Sequence, residues 1–311
     1  MDIICKEGRD RMLNRLRTFF KNPVYFITSP ASKGYLNWVP DAMYLKILYR
    51  ISMGESCNLK NPVKYNEKLQ WLKLHDRNPK YQRMVDKYEV RGYISETIGE
   101  EYLIPCYGVY DSFEQIDFSK LPEQFVLKCT HDSGSVEICK DRNTFDFVGA
   151  GERIRAALKR NYYSTYREWP YKNVKPRIIA ERFMVDETLD DLRDYKVMCF
   201  NGEAKLIEVH ENRFARERGY TQTFYDREWN RLDIAQKGFI PTEEKREKPV
   251  KLEEMLALSE KITKDMYHAR IDWYLIGDKL YFGEITFYDG SGFARFDDEK
   301  DDIFFGSLIR I

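Results

Sequence analysis

The chain lacks the apolar segments that would place it in a membrane or direct it out of the cell. In its 311 residues, no apolar run approaches the ~18 residues that a membrane-spanning helix needs. The opening stretch, MDIICKEGRDRML, has no apolar signal-peptide core. From these two absences we expect a cytoplasmic protein without a transmembrane segment.

An excess of one charge and a cysteine framework are also missing. The 51 Lys and Arg balance the 51 Asp and Glu, so the bulk charge gives no indication of a nucleic-acid partner. The six cysteines form no CxxC pair, and the four histidines show no metal-ligand spacing. Cys129 and Cys139 could face each other across a hairpin, but in a chain without an export signal we expect reduced thiols.

The first ~100 residues contain no G-x-G-x-x-G motif and no strand-rich opening, which argues against a Rossmann-type N-terminal domain. Residues 61–99 have the spacing of charged helices, with start signals at Asn66 and at Asn78-Pro79. Residues 9–21, RDRMLNRLRTFFK, predict a basic amphipathic helix. Such a helix either packs on its own domain or makes peripheral contact with an anionic membrane or a partner.

The rest of the chain alternates short β-rich runs with helices. Hairpins are predicted around HDSG at 131–134, around Asn201-Gly202 and around Gly277-Asp278. Helices are predicted over 150–163 and 252–266. Antiparallel hairpins with helices between them indicate the α+β fold class.

Lys128 stands inside one of the apolar strands. A lysine in that position needs an anionic partner. The partner is either a structural carboxylate or a bound phosphate, to which the turn at Gly134 would also donate backbone N–H groups. The residues alone leave both alternatives open.

Two later strands each carry an acid and a base on one face. Asp194 and Lys196 are two residues apart in DYKV, as are Arg270 and Asp272 in ARID, and Glu284 follows in YFGEIT. If the last hairpin lies beside the preceding one, Lys196, Arg270, Asp272 and Glu284 converge. Carboxylates suit Mg²⁺ and cations suit a phosphoryl group in transfer, although cross-strand salt bridges give the same pattern.

Five stretches together carry a resemblance to a known family. They are residues 68–94, 98–141, 167–184, 194–207 and 269–293. They resemble the ATP-grasp superfamily, most closely its TupA-like group, which is associated with bacterial surface-polysaccharide gene clusters. Single motifs in these stretches are not specific, whereas the whole pattern is.

The resemblance implies an ATP-grasp fold, in which two α+β lobes with antiparallel sheets clasp ATP. It implies a helical N-terminal region at 1–85, a first lobe at 86–180 and a second lobe with the metal site at 181–311. Helices stand where the family usually has a Rossmann-like domain that often contacts the acceptor. The acceptors of the wider superfamily therefore do not transfer to this chain.

In the first lobe, the resemblance implies that Lys87 and Lys128 contact phosphates. Ser133 and Gly134 belong to the loop that would close over those phosphates, although this loop has one glycine where many relatives have several. The hinge that would hydrogen-bond adenine is ERFM. Its nucleotide-binding residues are Glu181, Phe183 and Met184.

In the second lobe, the resemblance implies that Asp194 lies near the ribose and that Lys196 and Arg270 lie near the β- and γ-phosphates. Arg213 is a looser candidate for binding the phosphate or the acceptor. Thr286 stands where the family usually has a metal-binding Asn. The implied Mg²⁺ ligands are Asp272, Glu284 and Thr286.

The implied activity is an ATP-dependent carboxylate–amine ligation that uses two Mg²⁺ ions. A carboxylate attacks the γ-phosphate to give an acylphosphate, and an amine then displaces phosphate to leave an amide. No enzyme nucleophile is needed, in agreement with the absence of a Ser-His-Asp or Cys-His set. The polysaccharide setting favours an amino acid or amino sugar joined to a uronic acid of a surface glycan or its precursor.

Other functions stay open at this stage. A phosphotransferase would place a sugar hydroxyl at the γ-phosphate of the same ATP site. A glycosyltransferase of a polysaccharide cluster would need a D-x-D-type metal site, which the sequence does not offer at a convincing strand end. A non-catalytic nucleotide-binding module would be compatible with Thr286 replacing the usual Asn.

Overall fold

The computed structural model describes residues 23–185, 192–211, 220–240, 242 and 246–311. The basic helix predicted at 9–21 and the candidate residue Arg213 lie outside these ranges, so both stay predictions.

Helices make up most of the described N-terminal region, as predicted. The glutamate in the first turn of α3, Glu67, accepts hydrogen bonds from the backbone N–H groups of Val63 (3.0 Å) and Lys64 (3.3 Å), which fixes the start of that helix. The five helices of this region are α1 (Tyr25–Ser32), α2 (Asp41–Met53), α3 (Tyr65–His75), α4 (Lys80–Val85) and α5 (Glu89–Thr97).

The first sheet has four antiparallel strands in the order β1-β4-β2-β3. The predicted hairpin at HDSG is confirmed, but Cys139 pairs with Phe125 and so does not face Cys129, and both thiols are free. The elements are β1 (Cys106–Tyr110), β2 (Phe125–Cys129), β3 (Val136–Cys139), α6 (Phe147–Leu158), α7 (Tyr163–Tyr166) and β4 (Ile178–Arg182).

The second sheet has six antiparallel strands in the order β10-β9-β5-β6-β7-β8. Asn201 (φ 53°) and Gly202 (φ 80°) both have positive φ, which is the geometry of a tight hairpin turn and confirms the predicted turn. The elements are β5 (Asp194–Phe200), β6 (Glu203–Glu211), β7 (Thr221–Asp226), β8 (Arg231–Leu232), α8 (Leu252–Ile262), β9 (His268–Ile276), β10 (Lys279–Thr286) and α9 (Glu299–Leu308).

The largest hydrophobic core joins the second sheet to α3, α4, α5, α8 and α9, whereas the first sheet forms a separate core with α6. The N-terminal helices α3 to α5 therefore pack against the second sheet. The predicted α+β class is confirmed by these two antiparallel sheets and the helices around them. Among the described helices, none has the length and apolarity needed to cross a bilayer.

The contact between α9 and α3 depends on Gly306. A Cβ atom at Gly306 would lie 2.1 Å from the Val63 carbonyl oxygen and 2.8 Å from the Tyr65 amide nitrogen, which are backbone atoms at the start of α3. In an exposed helix, Gly→Ala stabilises by up to about 1 kcal/mol, but overpacking at a buried contact costs about 1–3 kcal/mol.

We expect Gly306→Ala to lower the free energy of unfolding by about 1–3 kcal/mol, measured by denaturant titration. The control is Ser307→Ala, at an exposed position of the same helix, which should change stability by less than about 0.5 kcal/mol. Equal stability of the two variants would contradict this packing account.

Candidate active site

Four charged residues form one row across the second sheet. Lys196 on β5 pairs with Glu208 on β6 and with Asp272 on β9, and Asp272 pairs with Glu284 on β10. Directly opposed residues in antiparallel strands have Cβ atoms about 4.5–5.5 Å apart. The row therefore holds three carboxylates and one ammonium group as immediate neighbours.

A β-bulge in the β5–β6 hairpin brings Glu208 into this row. Counted from the turn with simple pairing, Lys196 would face Ile207. The register shifts by one residue between Met198 and Cys199, and Glu208 takes that place instead. Because of this shift, Lys196 faces the acidic Glu208 rather than the apolar Ile207.

A second bulge, at Gly283, acts in the same way on the β9–β10 hairpin. The register shifts between Phe282 and Glu284, so Glu284 rather than Gly283 faces Asp272. A Cβ atom at Gly283 would lie 3.0 Å from the Asp272 carbonyl oxygen, which makes glycine the suitable residue there. Bulges near active sites commonly serve to re-aim a side chain.

Asp272 lies between two cations. Arg270 donates from Nε to Oδ1 (2.8 Å) and from Nη2 to Oδ2 (3.0 Å), and Lys196 Nζ donates to Oδ2. Burial alone would raise the pKa of Asp272, but Arg270 and Lys196 lower it. Burial and repulsion from Arg270 lower the pKa of Lys196. The surrounding carboxylates, of which Asp272 has the largest effect, raise this pKa by more, so the net shift is upward.

Arg270 connects this row to the end of β10. Its Nη1 donates a hydrogen bond to Asp289, and its Nη2 lies 3.4 Å from the Thr286 hydroxyl oxygen. The same guanidinium is 3.8 Å from Glu208 and 3.9 Å from Glu284. The predicted convergence of Lys196, Arg270, Asp272 and Glu284 is therefore confirmed, whereas their roles stay predictions.

Carboxylates are the ligands that a divalent cation prefers. Among the described residues, five carboxylates lie within 4.0 Å of the side chains of Lys196 and Arg270, so the acids outnumber these two cations. The Glu284 side chain is 46% exposed, while that of Asp272 is 5% exposed, so Glu284 offers the open position. Within the described ranges, no three His, Cys, Asp or Glu side chains are already arranged around one metal position. The five carboxylates are Asp194, Glu208, Asp272, Glu284 and Asp289.

Sequence reasoning missed the network that holds Asp289. The turn at 289–292 is fixed by Lys73, whose Nζ donates to the Ser291 carbonyl oxygen (2.7 Å), and by Glu168, which accepts from the Ser291 hydroxyl (2.5 Å). Burial lowers the pKa of Lys73 to about 8, against the attraction of Glu168. These partners are 123 or more residues from Ser291 along the chain, so no local pattern indicated them.

The acids of β6 were also missed. Glu208 hydrogen-bonds with His210, two residues along the strand, and accepts from Gln222 on β7. Burial would raise the pKa of Glu208, but His210 and then Arg270 and Lys196 lower it. The alternation in EVHE was an available signal, because Glu208 and His210 share one face of a strand.

In the first sheet, Lys128 has a structural partner. Its Nζ donates to Glu181 Oε2 at 2.8 Å, and Arg91 binds the other oxygen of Glu181 at 3.3 Å. One of the two alternatives for Lys128, a carboxylate within the protein, is thus present. A phosphate would have to share Lys128 with Glu181.

The HDSG loop lies beside Lys87. The Lys87 amide N–H donates to the Thr130 carbonyl oxygen (3.0 Å), and its Nζ donates to the Asp132 carbonyl oxygen. Gly134 has φ +97° and no atom within 4 Å of a would-be Cβ, so space remains beside the loop backbone. Ser133 lines the cavity described below.

The remaining predicted nucleotide residues follow β4 or begin β5. Phe183 and Met184 are partly buried, and the Phe183 ring centroid is 5.7 Å from Lys140 Nζ. The adjacent Arg182 amide N–H donates to the Pro105 carbonyl oxygen at 2.9 Å. Asp194 is buried, with its carboxylate 4.0 Å from Lys196 Nζ.

A narrow cleft of about 20 Å³, which is room for about one water molecule, lies between Lys87 and the end of β10. Lys87, Tyr171, Gly283 and Glu284 all line it, together with the side chains of α4. A cation predicted to contact phosphate and an acid predicted to bind metal thus face the same space. The two residues are separated by almost 200 positions in the sequence.

A model of the TupA-like ATP-grasp family matches residues 67–310. The chain therefore belongs to the TupA-like ATP-grasp family. This match confirms the predicted family and, with the two sheets described above, the predicted ATP-grasp fold. Members of the ATP-grasp family are ATP- and Mg²⁺-dependent ligases that form carbon–nitrogen bonds, and for this chain that activity is a proposal.

Several solved structures are similar to the chain, whereas no curated protein matches it. The D-alanine–D-alanine ligase of Bacillus anthracis complexed with ATP has 18% identity and a TM-score of 0.38, with 65% of this chain and 54% of that chain covered. The D-alanine–D-alanine ligase of Helicobacter pylori has 16% identity and a TM-score of 0.38, with 80% and 70% covered. A RimK-domain ATP-grasp protein of Sphaerobacter thermophilus has 12% identity and a TM-score of 0.40, with 75% and 70% covered. The chain spans about half the length of the Bacillus anthracis ligase.

We expect Glu284→Gln to reduce MgATP turnover about 100-fold or more while leaving the fold intact, because the amide keeps the shape and loses the charge that would hold a metal ion. ADP release measures turnover, and circular dichroism checks the fold. The matched control is Glu203→Gln, at the far end of β6, where the side chain is 50% exposed. Full activity in Glu284→Gln would disprove the metal assignment.

Proposed function

We propose that the chain is an ATP- and Mg²⁺-dependent carboxylate–amine ligase that acts through an acylphosphate. Its substrates are an amino acid or amino sugar and a uronic acid of a surface polysaccharide or its precursor. The family is the basis for the ligase chemistry, and the polysaccharide setting is an association rather than a derivation.

One observation carries this proposal. Lys87, from the first lobe, and Glu284, from the row on the second sheet, line one cleft. The resemblance implies a nucleotide between two lobes, with phosphate-binding lysines on the first lobe and metal ligands on the second. The division into 1–85, 86–180 and 181–311 is part of the same proposal.

The chemistry consists of two displacements. A carboxylate oxygen of the acceptor attacks the γ-phosphorus, the bond to the ADP oxygen breaks, and an acylphosphate forms. The amine nitrogen then attacks the acyl carbon, loses a proton, and releases phosphate that retains the former carboxylate oxygen. The protein contributes position and charge rather than a nucleophile.

Each predicted residue has a part in this scheme. Lys87 and Lys128 neutralise phosphate charge, and the backbone of Ser133 and Gly134 covers the same phosphates. Arg270 and Lys196, which are charged and buried, face the charge that develops during transfer. Arg213 would bind phosphate or acceptor. The hinge residues Glu181, Phe183 and Met184 would hold adenine, and Asp194 would hold the ribose.

Asp272, Glu284 and Thr286 would hold Mg²⁺, which supplies charge neutralisation between the β- and γ-phosphates when bound. Asp272 is kept ionised by Arg270 and Lys196. Arg270 also restrains the Thr286 hydroxyl at 3.4 Å, which keeps a hydroxyl oxygen beside the two carboxylates.

The proposal predicts transfer of one oxygen from acceptor to phosphate. D-Glucuronate and D-galacturonate labelled with ¹⁸O in the carboxylate are incubated with MgATP and a panel of amino acids and amino sugars. We expect inorganic phosphate to gain one ¹⁸O per amide formed, as measured by mass spectrometry. A phosphorylated sugar that retains both labelled carboxylate oxygens would instead identify a phosphotransferase and contradict the ligase proposal.

A further inference from the structure

A cavity of about 360 Å³ with a mixed polar and apolar lining opens beside the HDSG loop. Helix α1 forms one wall, and the segment from Arg160 to Tyr166, which includes α7, forms the other. Asp132 and Ser133 of the loop complete it. Pockets for small molecules have volumes of about 300–1,000 Å³, so this one suits a single sugar ring with a substituent.

The lining favours a ligand with many hydroxyl groups. Thr28, Ser29 and Ser32 bring three hydroxyls from α1, and Thr165 brings another from α7. The Thr28 and Ser32 hydroxyls donate to the carbonyl oxygens of Val24 and Ser29, so they would offer a ligand their oxygen lone pairs. The rings of Tyr162 and Tyr166 provide apolar faces among these polar groups. Sugar rings present the same mixture of hydroxyl edges and C–H faces.

Arg160 adds a cation to this lining. Its guanidinium makes a 3.3 Å hydrogen bond with the Ser135 hydroxyl and lies 3.9 Å from Asp132, and its side chain is 56% exposed. A guanidinium has five N–H donors in a planar fork, so donors remain for a carboxylate. The ligand that suits both the cation and the hydroxyls is an acidic sugar.

The cavity is next to the proposed catalytic cleft. The Tyr162 ring, which lines the cavity, is 4.8 Å from the Tyr171 ring, which lines the cleft with Lys87 and Glu284. Tyr162 lines the cavity together with Ser133 of the HDSG loop, so one side chain joins the loop side of the cavity to the wall of the cleft.

We propose that this cavity binds the uronic acid acceptor, with Arg160 holding its carboxylate and α1 contacting its hydroxyls. This inference rests on the proposed ligase function, because it places the acceptor beside the cleft where the carboxylate would meet ATP. Helix α1 precedes residue 67, where the family match begins. In this proposal, α1 adds contacts from outside the family match to those of Arg160 and Tyr162 inside it.

The test is a saturation-transfer NMR titration with the full chain saturated with AMP-PNP and Mg²⁺, so that the nucleotide site is occupied. The probes are D-glucuronate, UDP-glucuronate and a short glucuronate-containing oligosaccharide, with D-glucose as the neutral control. The probe that binds most tightly identifies the source of the uronate. We expect D-glucose to bind at least about tenfold more weakly than D-glucuronate.

Two variants locate the binding. Arg160→Gln should weaken D-glucuronate binding about tenfold, because one charge-assisted contact is lost, whereas the neighbouring exposed Lys159→Gln should leave it unchanged. Ser29→Trp should abolish binding by filling the cavity without a change of charge. A thermal melt of each variant shows whether it is folded.

Failure of the inference and failure of the proposed function are distinguishable in wild-type protein. If AMP-PNP with Mg²⁺ binds but no uronate probe binds, or if Arg160→Gln and Ser29→Trp bind D-glucuronate like wild type, the cavity assignment is wrong and the ATP site stands. If AMP-PNP with Mg²⁺ does not bind, the proposed function fails first.

Discussion

The ion pairs on Asp272 are the interaction on which the rest of the site depends. One carboxylate receives two hydrogen bonds from Arg270 and one from Lys196, all within a sheet where the side chains of these residues are at most 10% exposed. Removing one member of a buried pair leaves an uncompensated charge and typically costs about 3–5 kcal/mol. Arg270 and Lys196 lower the pKa of Asp272 and so favour its ionised form. Each of these cations also contacts at least one further carboxylate. Among the described residues the carboxylates outnumber the cations, and a divalent metal ion would offset this imbalance.

The surrounding fold sets the positions of these charges. Two β-bulges shift Glu208 and Glu284 into line with Lys196 and Asp272. The N-terminal helices share the core of the second sheet, so Lys87, which lies between α4 and α5, is held opposite β10. The family match begins at residue 67, close to the start of α3, whereas α1 and α2 precede it and form their own small core. The proposed acceptor cavity thus combines α1, which precedes the family match, with Arg160 and Tyr162, which lie inside it.

Much of the fold could be predicted from local pattern, and part of the site could not. The period-two alternation in DYKV and ARID predicted shared faces, and Asn201-Gly202 predicted the hairpin that joins β5 to β6. The neighbours of Lys196 were not predictable by counting, since simple pairing from that turn gives Ile207, and only the bulge gives Glu208. Asp289, Lys73 and Glu168 come together through contacts between distant segments, for which the sequence offers no periodic signal. The partner of Lys128 was similarly open until the pairing of β2 with β4 brought Glu181 beside it.

The central proposal is that the chain binds ATP with Mg²⁺ between the lobe that carries Lys87 and the strand end that carries Glu284. It is tested most directly by isothermal titration calorimetry of the purified protein with AMP-PNP, with and without Mg²⁺, and with a UDP-sugar as competitor. The account predicts binding that requires Mg²⁺ and that the UDP-sugar does not disturb. Binding of the UDP-sugar alone would contradict the account and favour a glycosyltransferase.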